Sequence, residues 1–384
     1  MTGSFFRSPK ALWLVYSLAA VLTAWQKWSM GFDEKGFSKY ENYRIFKYSW
    51  KHLIEGSNPY ILHPETWDLF KYSPAFAIWM GPFSVLPDVV GVVLWNLLNA
   101  LPLLYVLLHL PGFSASNRQW IAWLVLPELL ISLQNTQSNG LTAAWMLGTW
   151  VALDRGNSLM AAAAWTAGIF LKLFGIFAGL FLVFYRPLWW RTAGWAALWG
   201  LLLGLLPLPF VGWEGLLRLY QWWWEMLKND HSASMGLSVV GWLHSWFGLE
   251  PAKLLVTALG LGLQLAAVVW TYWKKKSMVP IVAGVLIWVV IFNHKAESPT
   301  FIIAMCGAAI WYFSQKSPRF YTKLSFGLIL VCSSLTPTDV FPAEWRRMLI
   351  QPYVLKAVPF ILLWVWLLFD TITNDEQRTD LEVF

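Results

Sequence analysis

Several residues carry chemistry at positions where an apolar chain makes them costly. Lys172 sits in Gly168-Ile169-Phe170-Leu171-Lys172-Leu173-Phe174-Gly175, inside an otherwise apolar stretch from 159 to 185. An ammonium deep in hydrocarbon costs ~2.5–3.5 kcal/mol on insertion scales, so it asks for a partner or a role. It can snorkel to an interface. Alternatively, two short helices meet near it and set it at an external mouth, where it holds a phosphate as a point charge. Gln134-Asn135-Thr136-Gln137-Ser138-Asn139 is a polar, uncharged run between apolar segments. It reads as a turn, or as a set of amides, Gln137 and Asn139 among them, suited to sugar hydroxyls. Asn293-His294-Lys295-Ala296-Glu297-Ser298-Pro299 is the densest ionisable cluster between two apolar runs. It reads as a self-satisfied ion-pair cap or as part of a site. Asp230-His231-Ser232 is weaker on its own. Spacings such as HExxH, CxxC, GxSxG or a phosphate-cradling Gly loop are absent, so no metal or cofactor is expected and soluble-type nucleotide chemistry is disfavoured.

The elements that must position these residues are membrane helices. Of 384 residues, 58% are hydrophobic and 13% charged, against about 25% charged in an ordinary soluble domain. Apolar runs recur at 11–26, 191–211, 253–273, 278–292 and 353–369, each close to the roughly 20 residues of a span. The runs are continuous rather than alternating, which excludes barrel strands. The 29 Trp cluster near run ends, as at Trp189-Trp190 and Trp222 to Trp224, where interfacial belts form. The first run lacks a small-residue cleavage site and reads as a retained span. Cys306 and Cys332 lie in apolar runs and read as buried thiols. The net charge of +7 is scattered among loops, which suits an anionic membrane surface and not a nucleic acid.

Without a linker or short-period repeat, residues 1–384 read as one integral membrane domain. Basic clusters at Arg186 with Arg191, Lys274 to Lys276, and Lys316 with Arg319 and Lys323 mark the cytoplasmic side. Threading spans between them gives about 12 transmembrane helices, both termini cytoplasmic, in the cell (plasma or inner) membrane. The segments 31–73, 212–252, 293–298 and 336–352 become external, 31–73 and 212–252 being the large loops. From Tyr40 to Glu55 the apolar residues Tyr43, Phe46, Trp50, Leu53 and Ile54 recur at helical spacing. Glu41, Arg44, Lys47, Tyr48, Lys51, His52 and Glu55 gather on the other face. This predicts an amphipathic helix, ended by Gly56 and followed by an Asn58-Pro59 turn, lying on the membrane with its apolar face down.

One resemblance adds to this reading. Tyr43…Phe46, then Glu55-Gly56-Ser57-Asn58-Pro59-Tyr60, then Phe70-Lys71-Tyr72-Ser73-Pro74-Ala75-Phe76-Ala77, resembles the family 87 glycosyltransferases of the GT-C class. Pro82…Leu86-Pro87, Trp95-Asn96, the loop around Gln137 and Asn139, and Gly168…Lys172 followed by Arg186 extend the likeness over most of residues 40–192. Each motif is loose; their order and spacing carry the weight. The resemblance implies an all-α, GT-C-like bundle with a helical first external loop. It implies an enzyme that moves a hexose or pentose, mannose-like in class, from a polyprenyl-phosphate donor to a glycan or lipid acceptor on the extracytoplasmic side. Such transfer needs a base for the acceptor hydroxyl and cations for the departing phosphate.

In that class a carboxylate of the first external loop acts as base. Counting back from Gly56, the family's Asp falls here on Asn42, which cannot serve. Glu41, next to it, and Asp68 are the two candidates. Donor or acceptor contacts are expected from Lys172, Arg44, Lys71, Tyr72, Gln137, Asn139, His231, His294, Lys295 and Glu297. A transporter or flippase of lipid-linked glycans is the competing reading, although no pseudo-repeated halves are visible.

Overall fold

The computed structural model describes residues 6, 8–230, 234–336, 338 and 341–373. Among them the chain is all-α, with one isolated bridge, Phe32 to Ser38, and no strand. The first part comprises α1 (Pro9–Ser29), α2 (Glu41–Ile54), α3 (Pro74–Trp79), α4 (Gly81–Ser84), α5 (Asp88–Leu107), α6 (Ala115–Gln134), α7 (Asn139–Asp154) and α8 (Ser158–Leu171). A 3-10 helix, Leu173–Phe184, leads into α9 (Trp189–Leu205), α10 (Leu208–Asn229), α11 (Val239–Phe247) and α12 (Lys253–Trp273). Then come α13 (Val279–Ile291), α14 (Phe301–Ser314), α15 (Phe320–Ile329), α16 (Ala343–Trp345) and α17 (Val358–Thr373).

Burial sorts these helices into inner and outer ones. Every residue of α13 from Ile281 to Ile291 and of α14 from Phe301 to Trp311 is buried, so this pair is apolar all round and forms the centre. Thr192 alone is buried on α9, and Leu201, Leu254, Leu255, Leu259 and Val269 of α9 and α12 are exposed. Apolar surface this extensive is untenable in water and belongs against lipid. The chain is a membrane protein. By length and hydropathy α5 and α12 can each cross a bilayer, and the 3-10 helix with the segment through α9, bent by 115°, makes a third candidate. The expected count of about 12 spans is not reached on that measure, because α8, α13, α14 and α17 are shorter than 18 residues.

Successive connections gather at two places. Gln137, Lys172 and Asn293, from the connections after α6, α8 and α13, line one cleft. Gly112, Tyr185, Ser277 and Gln315, from the connections after α5, the 3-10 helix, α12 and α14, line another cavity.

The helix predicted in the first loop is present as α2, and its end follows the sequence. Gly56, at φ +72°, allows Gly56 N–H to bond Leu53 O and Ser57 N–H to bond His52 O at 2.9 Å. Its apolar face, however, does not lie on lipid. Tyr43, Phe46 and Leu53 are buried, with Phe46 edge-on to Phe76 and Trp95. Gly91 of α5 makes room for this docking, since a Cβ there would overlap the Tyr43 hydroxyl. His52, on the supposed polar face, is buried too, while Ile54, on the apolar one, is exposed. Protein aromatic surface outcompetes the bilayer for this helix. The segment 212–252 is likewise largely helical: α10, broken at Gly212 with its positive φ of +68°, and α11 occupy most of it.

Candidate functional site

The site begins with a helical hairpin. α8 stops at Leu171, and Lys172 is extended (φ −144°, ψ 126°) before the 3-10 helix starts. Gly168 and Gly175 let the two arms cross closely: a Cβ on Gly175 would lie 2.5 Å from the backbone of Gly168. Lys172 therefore occupies the tip. Its Nζ donates to Asn139 Oδ1 at 2.5 Å and lies 5.7 Å from the Tyr72 ring centre and 5.8 Å from that of Phe174. Among the described residues no carboxylate is in hydrogen-bond or ion-pair contact with it; an amide dipole and two ring faces meet the ammonium directly, and Glu297 acts on it through its charge from further off.

Asn139 opens α7, and the preceding polar run is clamped from three sides. Trp95 Nε1 donates to Thr136 O at 2.9 Å, Tyr43 N–H to Thr136 Oγ1 at 3.2 Å, and Asn42 Nδ2 to Asn135 O at 2.9 Å. Asn99 Oδ1 accepts from Leu141 N–H at 3.0 Å, fixing the first turn of α7. The run is thus a structured turn: Gln137 lines the cleft, while Asn139 is buried and meets it through Lys172.

The cleft, about 270 Å³ in volume, lies between the first loop, the hairpin tip and the loop after α13. Asp68, Lys71, Tyr72, Gln137, Lys172, Lys295 and Glu297 line it together. Asp68 Oδ2 accepts from Lys71 Nζ at 3.0 Å, and Asp68 Oδ1 from Leu69 N–H at 2.7 Å. The Tyr72 hydroxyl is 3.0 Å from Ser138 Oγ, and its ring packs on Phe46 and Phe76. Glu297 accepts from Thr300 N–H in a capping box at the turn leading into α14, yet stays exposed.

Other expected residues are not brought to the cleft. Glu41 is buried, and its Oε2 accepts from Ser38 N–H at 2.9 Å and Ser38 Oγ at 2.8 Å, with Arg44 3.7 Å away. It ties the chain just before α2 to the first turn of that helix and faces a separate recess with Lys27, Asp33 and Lys39. Asn42 lines both spaces. The Arg44 guanidinium lies over Phe32 and Tyr48, away from the cleft. His294 is held below the ordinary histidine range, first by burial and then by Lys253 and Lys295, so it adds no cation at neutral pH. His231 lies outside the described residues.

Its neighbour Asp230 proves the informative member of that motif. The Asp230 carboxylate pairs with Lys295, whose Nζ also donates to Asp230 O at 2.7 Å, and lies 3.9 Å from Lys71 Nζ. Asp230 thereby joins the end of α10 to both other loops. Sequence reasoning also missed a buried pair behind the cleft. Lys356 Nζ is 3.1 Å from Glu128 Oε2 and donates to Ser298 Oγ at 2.9 Å, while Ser333 Oγ donates to Glu128 at 2.6 Å. The available signal was a lone Glu in the apolar run of α6 and a lone Lys at the start of the last one.

An all-helical membrane protein with a polar, lysine-rich cleft between its loops suits a transferase acting on an anionic substrate at the bilayer. The family model of glycosyltransferase family 87 matches residues 70–296, more than half of the chain. The chain belongs to that family and is a glycosyltransferase, which sets the transporter reading aside. Lys71, Tyr72, Gln137, Asn139, Lys172 and Lys295 lie within the matched region. No curated protein matches the chain.

Proposed function

We propose that this glycosyltransferase moves a mannose-like hexose or pentose from a polyprenyl-phosphate donor to a glycan or lipid acceptor. In this reading Lys172 holds the donor phosphate, Asp68 takes the acceptor hydroxyl proton, and Lys71 and Lys295 add positive potential as phosphate charge develops. The observation that carries it is Lys172 at a hairpin tip, bound only to an amide and facing the same cleft as Asp68. A phosphate oxygen would replace the Asn139 contact with a charge-assisted bond, roughly twice as strong as a neutral one. Asp68 is preferred to Glu41 because Glu41 is engaged by Ser38. Glu297 is the reserve candidate, and Gln137, Asn139 and Tyr72 would receive sugar hydroxyls.

The chain would sit in the cell membrane as one domain, the cleft outside and both termini cytoplasmic. Alternation of the connections between cleft and opposite cavity supports about 12 traversals, with Lys276 and Lys316 lining the inner cavity. The test is incubation of membranes with labelled polyprenyl-phosphate hexoses and pentoses. Label should reach an acceptor with the wild-type chain and not with Asp68→Asn. Absence of transfer from every such donor would remove the polyprenyl-phosphate reading.

A further inference from the structure

A second polar cluster lies outside the cleft, where the first loop folds back on the last turn of α2. His52 is buried, and its Nε2 is 2.7 Å from Glu65 Oε1. Its ring stacks on that of His63 at a centroid separation of 3.5 Å and more loosely with that of Tyr48 at 6.2 Å. His63 Nε2 is 2.8 Å from Asn58 O. A carbonyl oxygen can only accept, so Nε2 of His63 carries the proton and Nδ1 of the neutral ring keeps a lone pair. Among the described residues that Nδ1 has no partner. A simple hydrogen-bonded pair would need only His52 and Glu65, yet His63 is tethered against them with a lone pair to spare. One ligand atom from each of the three lies within 4.8 Å of the other two.

We propose that His52, His63 and Glu65 form a zinc site that clips residues 56–73 to α2. Two imidazoles and one carboxylate are a recurrent zinc donor set, with bonds of about 2.0–2.2 Å and a fourth position left for water. Gathering the ligands requires tilting His63 out of its stack and turning Glu65, both on an irregular loop; His52 stays fixed by its helix. The His52 proton now shared with Glu65 moves to Nδ1, so the ring binds as the other tautomer without net proton loss. Asn58 O keeps the His63 tautomer, as outer hydrogen-bond partners of ligating histidines do. Glu65 is three positions before Asp68, so the ion would hold the cleft's loop in place without entering the cleft.

The tag-free full chain in detergent, stripped by a chelator and titrated with Zn²⁺, should bind one ion per chain and melt at a higher temperature. His63→Ala and Glu65→Gln should each weaken binding at least tenfold and abolish the melting shift. His109→Ala, whose ring bonds Tyr105 O elsewhere, should change neither. His52 is buried and its removal can unfold the helix end, so His63→Ala is the deciding variant. Zn²⁺ binding that survives in His63→Ala and Glu65→Gln, or no retained ion and no melting shift in the wild-type chain, would overturn the site. These readouts are independent of any transfer activity.

Discussion

Lys172 and Asn139 meet at 2.5 Å although 33 positions separate them. Each belongs to a break between helices, Lys172 at the hairpin tip and Asn139 at the first position of α7. The contact therefore fixes two apolar helical pairs relative to each other at one point. It also leaves the ammonium with a neutral partner that an anion can displace. A lysine satisfied by a carboxylate would have lost that capacity.

The first prediction concerns this ammonium. Lys172→Met keeps the length and apolar body of the side chain but removes the charge. Charged hydrogen bonds are worth ~1.5–3 kcal/mol, so donor affinity should fall about tenfold or more while the protein inserts and folds. Donor titrations of wild type and variant in the same membranes read this directly. Unchanged affinity would leave the lysine as a packed structural group.

The base is tested by two amide substitutions. Asp68→Asn should lower turnover 10²-fold or more with little change in donor binding, because only the proton acceptor is lost. Glu41→Gln should stay within a few-fold in turnover and show its effect in folded yield, since Ser38 and Arg44 are its partners. A dead Glu41→Gln beside an active Asp68→Asn would reverse the assignment. If both stay active, Glu297→Gln becomes the variant to measure.

These two carboxylates show where sequence was informative and where it was not. Lys172 was legible because a single cation between Gly168 and Gly175 in an apolar stretch has few explanations. The end of α2 was legible because Gly56 at positive φ and an Asx turn at Asn58 are local devices. The fate of Glu41 was not legible. A Glu at a helix start can face solvent, a site or its own preceding residues, and the choice depends on the chain that folds over it. The apolar stripe of α2 was legible as a stripe, but periodicity is the same whether the stripe meets lipid or Phe76 and Trp95. Asp230 read only as part of a weak Asp230-His231-Ser232 motif because its worth lies in Lys71 and Lys295, which only tertiary structure brings near.

Orientation follows from the basic clusters and can be measured directly. Lys35→Cys and Lys274→Cys both lie at exposed positions, against native thiols of which Cys306 is buried and Cys332 half-buried. An impermeant maleimide added to intact cells should label Lys35→Cys, whereas Lys274→Cys should label only after lysis. The opposite pattern would turn the cleft toward the cytoplasm and remove the donor assignment.

The hairpin gives a prediction about shape alone. Gly175→Ala puts a methyl 2.5 Å from the Gly168 carbonyl carbon and oxygen, which are backbone atoms and cannot swing aside. The arms must separate, and Lys172 must leave Asn139. Donor affinity should fall about as far as in Lys172→Met, with the double variant little worse than either single one, since coupled changes are non-additive. Independent, additive losses would show that Gly175 serves general stability instead.

The buried pair behind the cleft supplies the last prediction. Glu128 is fully buried and Lys356 nearly so, 228 positions apart, and Ser298, Ser333 and Ser334 complete their hydrogen bonds. The cluster ties α6 to the segment before α17 and to the turn leading into α14. Removing one member leaves an uncompensated charge, at a typical cost of about 3–5 kcal/mol, whereas replacing both by apolar groups is often near neutral. Glu128→Leu and Lys356→Met should therefore each melt well below wild type in detergent, and the double variant should recover part of the loss. The α14 turn also carries Glu297 on the cleft wall, so the single variants should lose turnover alongside stability. Two mild single variants whose effects simply add would mean that the two groups are satisfied separately and that the pair does not brace the cleft.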